Sequence, residues 1–119
     1  TISKICNVYS INMNGSEICL AQAPVGAASA TSMLDWLISY GVRKVFAVGS
    51  CGALEDVGEG EYYLPVEAVR QEGMSYRYLP ARYSIKGNIE FYNEIESLLK
   101  DVGISYKKCK TWTTDGLFR

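Results

Sequence analysis

The sequence predicts an α/β protein with a mixed, largely parallel β-sheet and flanking helices. Two stretches of helical periodicity alternate with short strand-like apolar runs, and each helical stretch ends in a glycine that precedes another strand-like run. Apolar residues make up 48% of the 119 residues, which is enough for a packed core and too many for a disordered chain. We expect a single domain over residues 1–119.

The amino-terminal half predicts a hairpin, a helix and a strand. Asn14-Gly15 separates two apolar segments, and both residues tolerate the positive φ of a two-residue hairpin turn. Residues 27–40 have helical periodicity, and Gly41 is a suitable helix stop. The apolar run 45–48 is typical of a strand buried on both faces. Residues 16–49 therefore predict a right-handed βαβ unit.

The carboxy-terminal half predicts two strands on either side of a second helix. Residues 62–66 are strand-like, and Pro65 indicates an edge or an end of that strand. Asn88 is a suitable N-cap for a helix that Gly103 ends, because these residue types favour those positions. Residues 104–113 return to strand character.

The charge balance excludes several classes of partner. Twelve basic and 13 acidic residues give a net charge of −1, and no basic block is available to neutralise nucleic-acid phosphates. We interpret Lys107, Lys108 and Lys110 as a solvated strand edge. No apolar run approaches the roughly 20 residues of a membrane helix. The first residues also lack a signal-peptide pattern, so no membrane partner is expected.

The cysteine and histidine counts restrict the possible chemistry. The four cysteines stand at positions 6, 19, 51 and 109, without a Cys-x-x-Cys pair, and histidine is absent. We therefore expect no metal site and no histidine-based triad or general base. Cys6 and Cys19 are interpreted as buried thiols, and the protein is expected in the reducing cytoplasm.

Two glycine-containing loops are the candidate anion sites. Gly49-Ser50-Cys51-Gly52 follows the predicted strand at 45–48, where ligands of open α/β sheets bind. Gly26 precedes the first helix, whose free N–H groups favour anions. If the strands before these loops are adjacent and parallel, both loops lie at one edge of the sheet. The alternatives are a tight turn at the first loop and close helix–sheet packing at the second.

Three segments together resemble the nucleoside phosphorylase family, of the purine nucleoside and uridine phosphorylase type. They are residues 23–27, residues 41–53 and the ending Thr-Thr-Asp-Gly-Leu-Phe-Arg at 113–119, and the resemblance extends over residues 5–119. It implies an incomplete phosphorylase/hydrolase-like fold, the central fragment of a larger domain. It also implies phosphorolysis, in which a nucleoside and phosphate give a free base and ribose 1-phosphate.

The resemblance also implies roles for particular residues. Gly26 and Ser50 match phosphate-binding positions, whereas five others match positions along the base and ribose, namely Val25, Cys51, Gly52, Leu117 and Phe118. Inorganic phosphate is the co-substrate, and no cofactor is implied. The catalytic groups are expected outside these 119 residues, so the chain alone is expected to be inactive. A homo-oligomer is implied, and the aromatic-rich segment 73–83 is a candidate interface.

Two departures from the family pattern keep alternatives open. Ala47 stands where phosphorylases often carry a phosphate-binding arginine, and a water-using nucleoside hydrolase of the same fold lacks that arginine. Leu117 stands where an aromatic residue usually packs on the base, so purine and pyrimidine nucleosides are both open. The third reading is a non-catalytic remnant that binds a nucleoside or an anion.

Overall fold

A computed structural model describes residues 7–116, which fall into two compact units divided between Val45 and Phe46. The first unit contains the strands β1 (Val8–Met13) and β2 (Ser16–Ala21) and the helix α1 (Ala27–Ser39). The second unit contains the remaining elements, which are β3 (Tyr63–Gln71), a 3₁₀ turn at Ser75–Arg77, β4 (Ser84–Lys86), α2 (Ile89–Asp101) and β5 (Lys107–Thr114).

The predicted hairpin is confirmed in the first unit. β1 and β2 pair antiparallel, and Met13 lies opposite Ser16 across the turn. Asn14 and Gly15 have φ values of 51° and 82°, as a two-residue turn of this kind requires. Cys19 is exposed, which corrects its interpretation as a buried thiol. Two strands alone bury little, and β2 has no pairing partner besides β1 within the described residues.

The helix α1 occupies almost the whole stretch that its periodicity predicts. It begins after Gly26 and ends before Gly41, and both glycines have positive φ, 93° and 100°. Leu37 is the buried residue of its apolar side. The helix stop at Gly41 is therefore confirmed, because left-handed geometry is accessible to glycine at low cost.

The second unit is built on a three-stranded sheet in the order β4-β3-β5. β3 pairs antiparallel with β4 and parallel with β5. α2 precedes β5 along the chain, as expected for a parallel crossover. Together with the antiparallel hairpin, this mixed sheet and the two helices confirm the α/β class. The prediction of one domain over residues 1–119 stays a prediction.

The prediction of a strand at residues 45–49 is wrong in this structure. Residues 43–53 have no regular secondary structure, and Val48 is 84% exposed. A strand needs backbone hydrogen bonds to a neighbouring strand, and no described residue pairs with this run. The βαβ unit predicted over residues 16–49 is therefore not formed, and the observed parallel pair is β3 with β5.

The strand β3 is longer than predicted and lies in the middle of its sheet. Pro65 lies in the part of β3 that pairs only with β5, because β4 reaches only Glu67–Val69. A shift in the β5 register falls between Pro65 and Glu67. Pro65 lacks a backbone N–H, and it lies near the beginning of β3, where the strand is paired on one side only. This position agrees with the prediction of a strand end.

The ends of α2 match the sequence prediction. The Asn88 side-chain oxygen accepts a hydrogen bond from Phe91 N at 3.0 Å, and Gly103 has a φ of 71°. Ile95 of α2 and Leu64 of β3 are buried. α1 and α2 have 13 residues each, and no helix within residues 7–116 is long and apolar enough to cross a membrane.

The three lysines of β5 lie on a strand edge, as predicted, and each is paired with a glutamate. Lys107 contacts Glu61 at 2.7 Å, Lys108 contacts Glu96 at 2.6 Å, and Lys110 contacts Glu67 at 3.1 Å. More than half of each lysine side chain is exposed, so solvent screens these pairs. This edge therefore provides no excess positive charge for a polyanion.

Candidate functional site

The Gly49–Gly52 loop presents its backbone and the Ser50 side chain to solvent. Ser50 is exposed, and a Cβ atom added at Gly49 or at Gly52 would meet nothing within 4 Å. A hydroxyl group and unobstructed amide groups are suitable donors to an anion. The loop can therefore be approached closely by a ligand.

Cys51 lies close to Cys109, the third residue of β5. Burial raises the pKa of the Cys109 thiol, and the neighbouring Cys51 thiol raises it further. The Gly49–Gly52 loop therefore lies within electrostatic range of β5.

The second glycine loop lies at the amino end of α1. The Gly26 carbonyl accepts from Ala30 N at 3.0 Å, and no side chain caps this helix end. Val25 is 97% exposed. Uncapped N–H groups at a helix start favour an anion. Gly26 belongs to the first unit and Ser50 to the second, so their joint phosphate site stays a prediction.

The segment that follows β5 is held by the segment that follows β3. Asp115 Oδ2 accepts a hydrogen bond from Gly73 N at 3.0 Å, and Asp115 N donates to the Gln71 carbonyl at 3.2 Å. Gly116 N donates to Thr114 Oγ1 at 3.1 Å, which tightens the turn. Leu117 and Phe118, the predicted base contacts, lie outside the described residues.

Sequence reasoning missed two buried charged residues at the carboxyl end of β3. Arg70 is 5% exposed and Glu72 is 7% exposed. The Arg70 guanidinium donates to Ser75 Oγ at 2.8 Å and to the Pro80 carbonyl at 2.8 Å. It also lies 4.2 Å from the centre of the Tyr76 ring. Two charged residues shortly before Gly73 are the signal in the sequence. Their hydrogen-bond partners lie in an irregular segment, so the pattern does not predict their burial.

Hydrogen bonds stabilise Glu72 in its ionised form. The bond from the Ser75 side chain has the largest effect and lowers the pKa of the carboxyl group, while burial opposes it. Glu72 Oε2 also accepts from Met74 N at 2.7 Å and from Ser75 N at 2.9 Å, and the Arg70 charge lowers the pKa further. Glu72 therefore fixes the backbone that follows β3.

Residues 7–116 contain no cluster of three or more histidine, cysteine, aspartate or glutamate side chains arranged to hold a metal ion. The chemistry available in this part of the chain comes from hydroxyl groups, backbone amides and single charged side chains. Such groups can bind and orient an anion and a neutral ligand.

The parallel β3–β5 pair, the antiparallel hairpin and the two helices define an α/β protein. A family model described as the phosphorylase superfamily matches residues 2–119. The chain therefore belongs to the phosphorylase superfamily, which confirms the resemblance drawn from its motifs.

Two curated relatives match most of this chain. A uridine phosphorylase of Haemophilus influenzae is 27% identical over 93 residues, which is 77% of this chain and 37% of that protein. A guanosine phosphorylase of Halorubrum lacusprofundi is 24% identical over 95 residues, which is 79% of this chain and 39% of that protein. The chain thus spans less than half the length of these two relatives.

Proposed function

We propose that this chain is part of a nucleoside phosphorylase, an enzyme that uses phosphate to split an N-glycosidic bond. The superfamily match over residues 2–119 carries the proposal. Both relatives described above are named as phosphorylases of a nucleoside, which supports it. The exposed Ser50 loop supports it further, because an open hydroxyl and amide cluster suits a phosphate.

The proposed reaction is a substitution at the sugar C1′ atom. A phosphate oxygen forms a bond to C1′ while the C1′–N bond breaks, and its electron pair leaves with the base, which takes up a proton. Positive charge develops on the sugar, so the chemistry depends on placing phosphate and stabilising the leaving base. The products are the free base and the pentose 1-phosphate.

The residues of this chain are assigned to binding. Gly26 and Ser50 would hold phosphate, and Val25, Cys51 and Gly52 would line the base and ribose together with residues 117–118. The groups that protonate the base and hold the ribose hydroxyls would come from outside these 119 residues. Cys51 would act by contact, since histidine, its usual activator, is absent from the sequence.

A nucleoside hydrolase is the second candidate, and Ala47 is the observation that favours it. Ala47 lies two residues before Gly49, where a phosphate-binding arginine is expected in a phosphorylase. An alanine cannot neutralise phosphate, whereas a water nucleophile needs no such charge. The dependence of base release on phosphate separates the two candidates.

The test is release of free base from uridine and from guanosine by the full-length protein, measured while phosphate is titrated from zero. We expect the rate to rise from the background to a plateau as phosphate saturates its site. A rate independent of phosphate would favour the hydrolase. Absence of release with both nucleosides would favour the non-catalytic reading.

The same assay applied to the 119-residue chain tests the assignment of catalytic groups. We expect turnover at or near the background, because the chain spans only 37–39% of its two relatives and lacks the proposed proton donor. Turnover equal to that of the full-length protein would show that the catalytic groups lie within this chain.

Two further properties are part of the proposal. The protein would form a homo-oligomer, and the segment 73–83 supports this because Tyr76 and Tyr83 are exposed aromatic residues within it. It would work in the cytoplasm, since Cys19, Cys51 and Cys109 are free thiols.

A further inference from the structure

The turn between β1 and β2 contains a chemically labile pair, Asn14-Gly15. Both residues are exposed, and both have the positive φ of a two-residue turn. Glycine has no Cβ atom, so its backbone nitrogen is the least hindered nucleophile toward the side chain of the residue before it. Asn14 is the one asparagine of the sequence that precedes a glycine. The others precede larger residues and are Asn7, Asn12, Asn88 and Asn93.

The Gly15 nitrogen is restrained by a neighbouring side chain. Gly15 N donates a hydrogen bond to Asn12 Oδ1 at 3.2 Å. Met13 lies opposite Ser16 across the turn, and this pairing limits rotation of the backbone at Asn14. An attacking nitrogen must lose its proton and come within about 3–3.5 Å of the carbon that it attacks. The Asn12 hydrogen bond opposes both changes.

We propose that Asn14 is a site of spontaneous deamidation and that the Asn12 side chain slows this reaction. Gly15 N forms a bond to the Asn14 Cγ atom, the bond from Cγ to the side-chain nitrogen breaks, and ammonia leaves with the proton from Gly15 N. Water then adds to one carbonyl of the cyclic imide, the C–N bond there breaks, and the ring nitrogen takes up a proton. The product is aspartate or isoaspartate. The inference does not depend on the proposed function.

Deamidation changes the hairpin through its charge and through its backbone length. Both products carry a new negative charge in the turn. Isoaspartate also adds one carbon to the backbone of a two-residue turn, and the length of that turn sets the register of β1 against β2. We therefore expect the isoaspartyl form to show faster hydrogen exchange over residues 8–21 than the unmodified form.

The test follows deamidation at Asn14 in the full-length protein by peptide mapping and mass spectrometry. We expect Asn12→Val to deamidate about two-fold to ten-fold faster than the unchanged protein, the equivalent of one ordinary hydrogen bond. Valine favours strands, so this variant should keep the hairpin. Asn12→Asp retains an acceptor for Gly15 N and should stay within about two-fold of the unchanged protein. Asn7→Val, at an exposed position before β1, is the matched control.

Hydrogen exchange over residues 8–21 shows whether each variant keeps the hairpin, and the other asparagines give an internal reference rate. Equal rates at Asn14 in Asn12→Val and in the unchanged protein would overturn the inference. Deamidation of Asn14 no faster than that of the other asparagines would also overturn it. If Asn12→Val loses the hairpin, the unchanged protein unfolded in guanidinium chloride takes its place. A rate at Asn14 equal to that of the folded protein would then contradict the inference.

Discussion

The Ser50 hydroxyl can donate a hydrogen bond to a phosphate oxygen, but it carries no positive charge. Its hydroxyl is exposed between two glycines, and the neighbouring strand-like run carries alanine at position 47. A neutral donor discriminates by geometry, since a hydroxyl hydrogen bond to a charged oxygen is strong only when it is well aligned. The proposed contribution of Ser50 to phosphate binding is therefore measurable on its own.

We expect Ser50→Ala to raise the phosphate KM by about 5-fold to 150-fold, because a hydrogen bond of about 1–3 kcal/mol to a charged group is lost. The nucleoside KM should change little. Ser32→Ala is the matched control, since Ser32 is exposed on α1 and donates to the Ala28 carbonyl at 2.9 Å. A phosphate KM unchanged in the variant would show that Ser50 is not a ligand.

Glu72 links the folding stability of this region to pH. Its hydrogen bonds lower the pKa of the carboxyl group in the folded state, so its stabilising contribution is complete above the ordinary value of 4.5 and is lost as pH falls through the folded value. We expect Glu72→Gln to lower the free energy of unfolding by about 1 kcal/mol near neutral pH, with the difference shrinking below that ordinary value.

Chemical denaturation of both proteins across the acid range measures this effect. Glu55→Gln removes the same charge from an exposed loop and is the control. A difference between Glu72→Gln and the unchanged protein that stays constant with pH would contradict the assigned cause.

The sequence indicates which residues are candidates for a ligand loop, but it does not indicate which side chains contact one another. Ser50 and Gly26 were recognised as candidates because glycine patterns mark loops. Arg70 and Glu72 were missed because their partners, such as Pro80 and Ser75, lie in a segment without periodicity. Burial of a charged side chain depends on such partners, and a linear pattern does not record them.

At the scale of elements, local signals fixed the hairpin turn and the helix ends. Asn14-Gly15, Gly41 and Gly103 all have the positive φ that their positions require. The prediction is wrong for residues 45–49, an apolar run that forms no strand. Helix ends depend on local geometry, whereas a strand depends on a partner elsewhere in the chain.

The N-cap of α2 provides a direct test of this local control. We expect Asn88→Ala to lower the free energy of unfolding by about 1 kcal/mol, because the bond to Phe91 N is lost. Asn93→Ala, at an exposed position inside α2, should cost much less. Equal losses in urea denaturation would contradict the capping role.

At the scale of the whole molecule, superfamily membership and the α/β class agree. The class was predictable because two stretches of helical periodicity alternate with strand-like runs. The parallel β3–β5 pair agrees with that alternation. The pairing of residues 62–71 with residues 104–114 was not predictable, because the two segments are distant in sequence. The run at 45–48 has a similar strand-like pattern, so the sequence does not show which segments pair.

In the proposed reaction, phosphate rather than water attacks the sugar. The most direct measurement is to run the full-length protein with a nucleoside and phosphate in water labelled with heavy oxygen, and to analyse the sugar product by mass spectrometry. We predict pentose 1-phosphate without the label at C1′. Free pentose formed in place of pentose 1-phosphate would contradict the account.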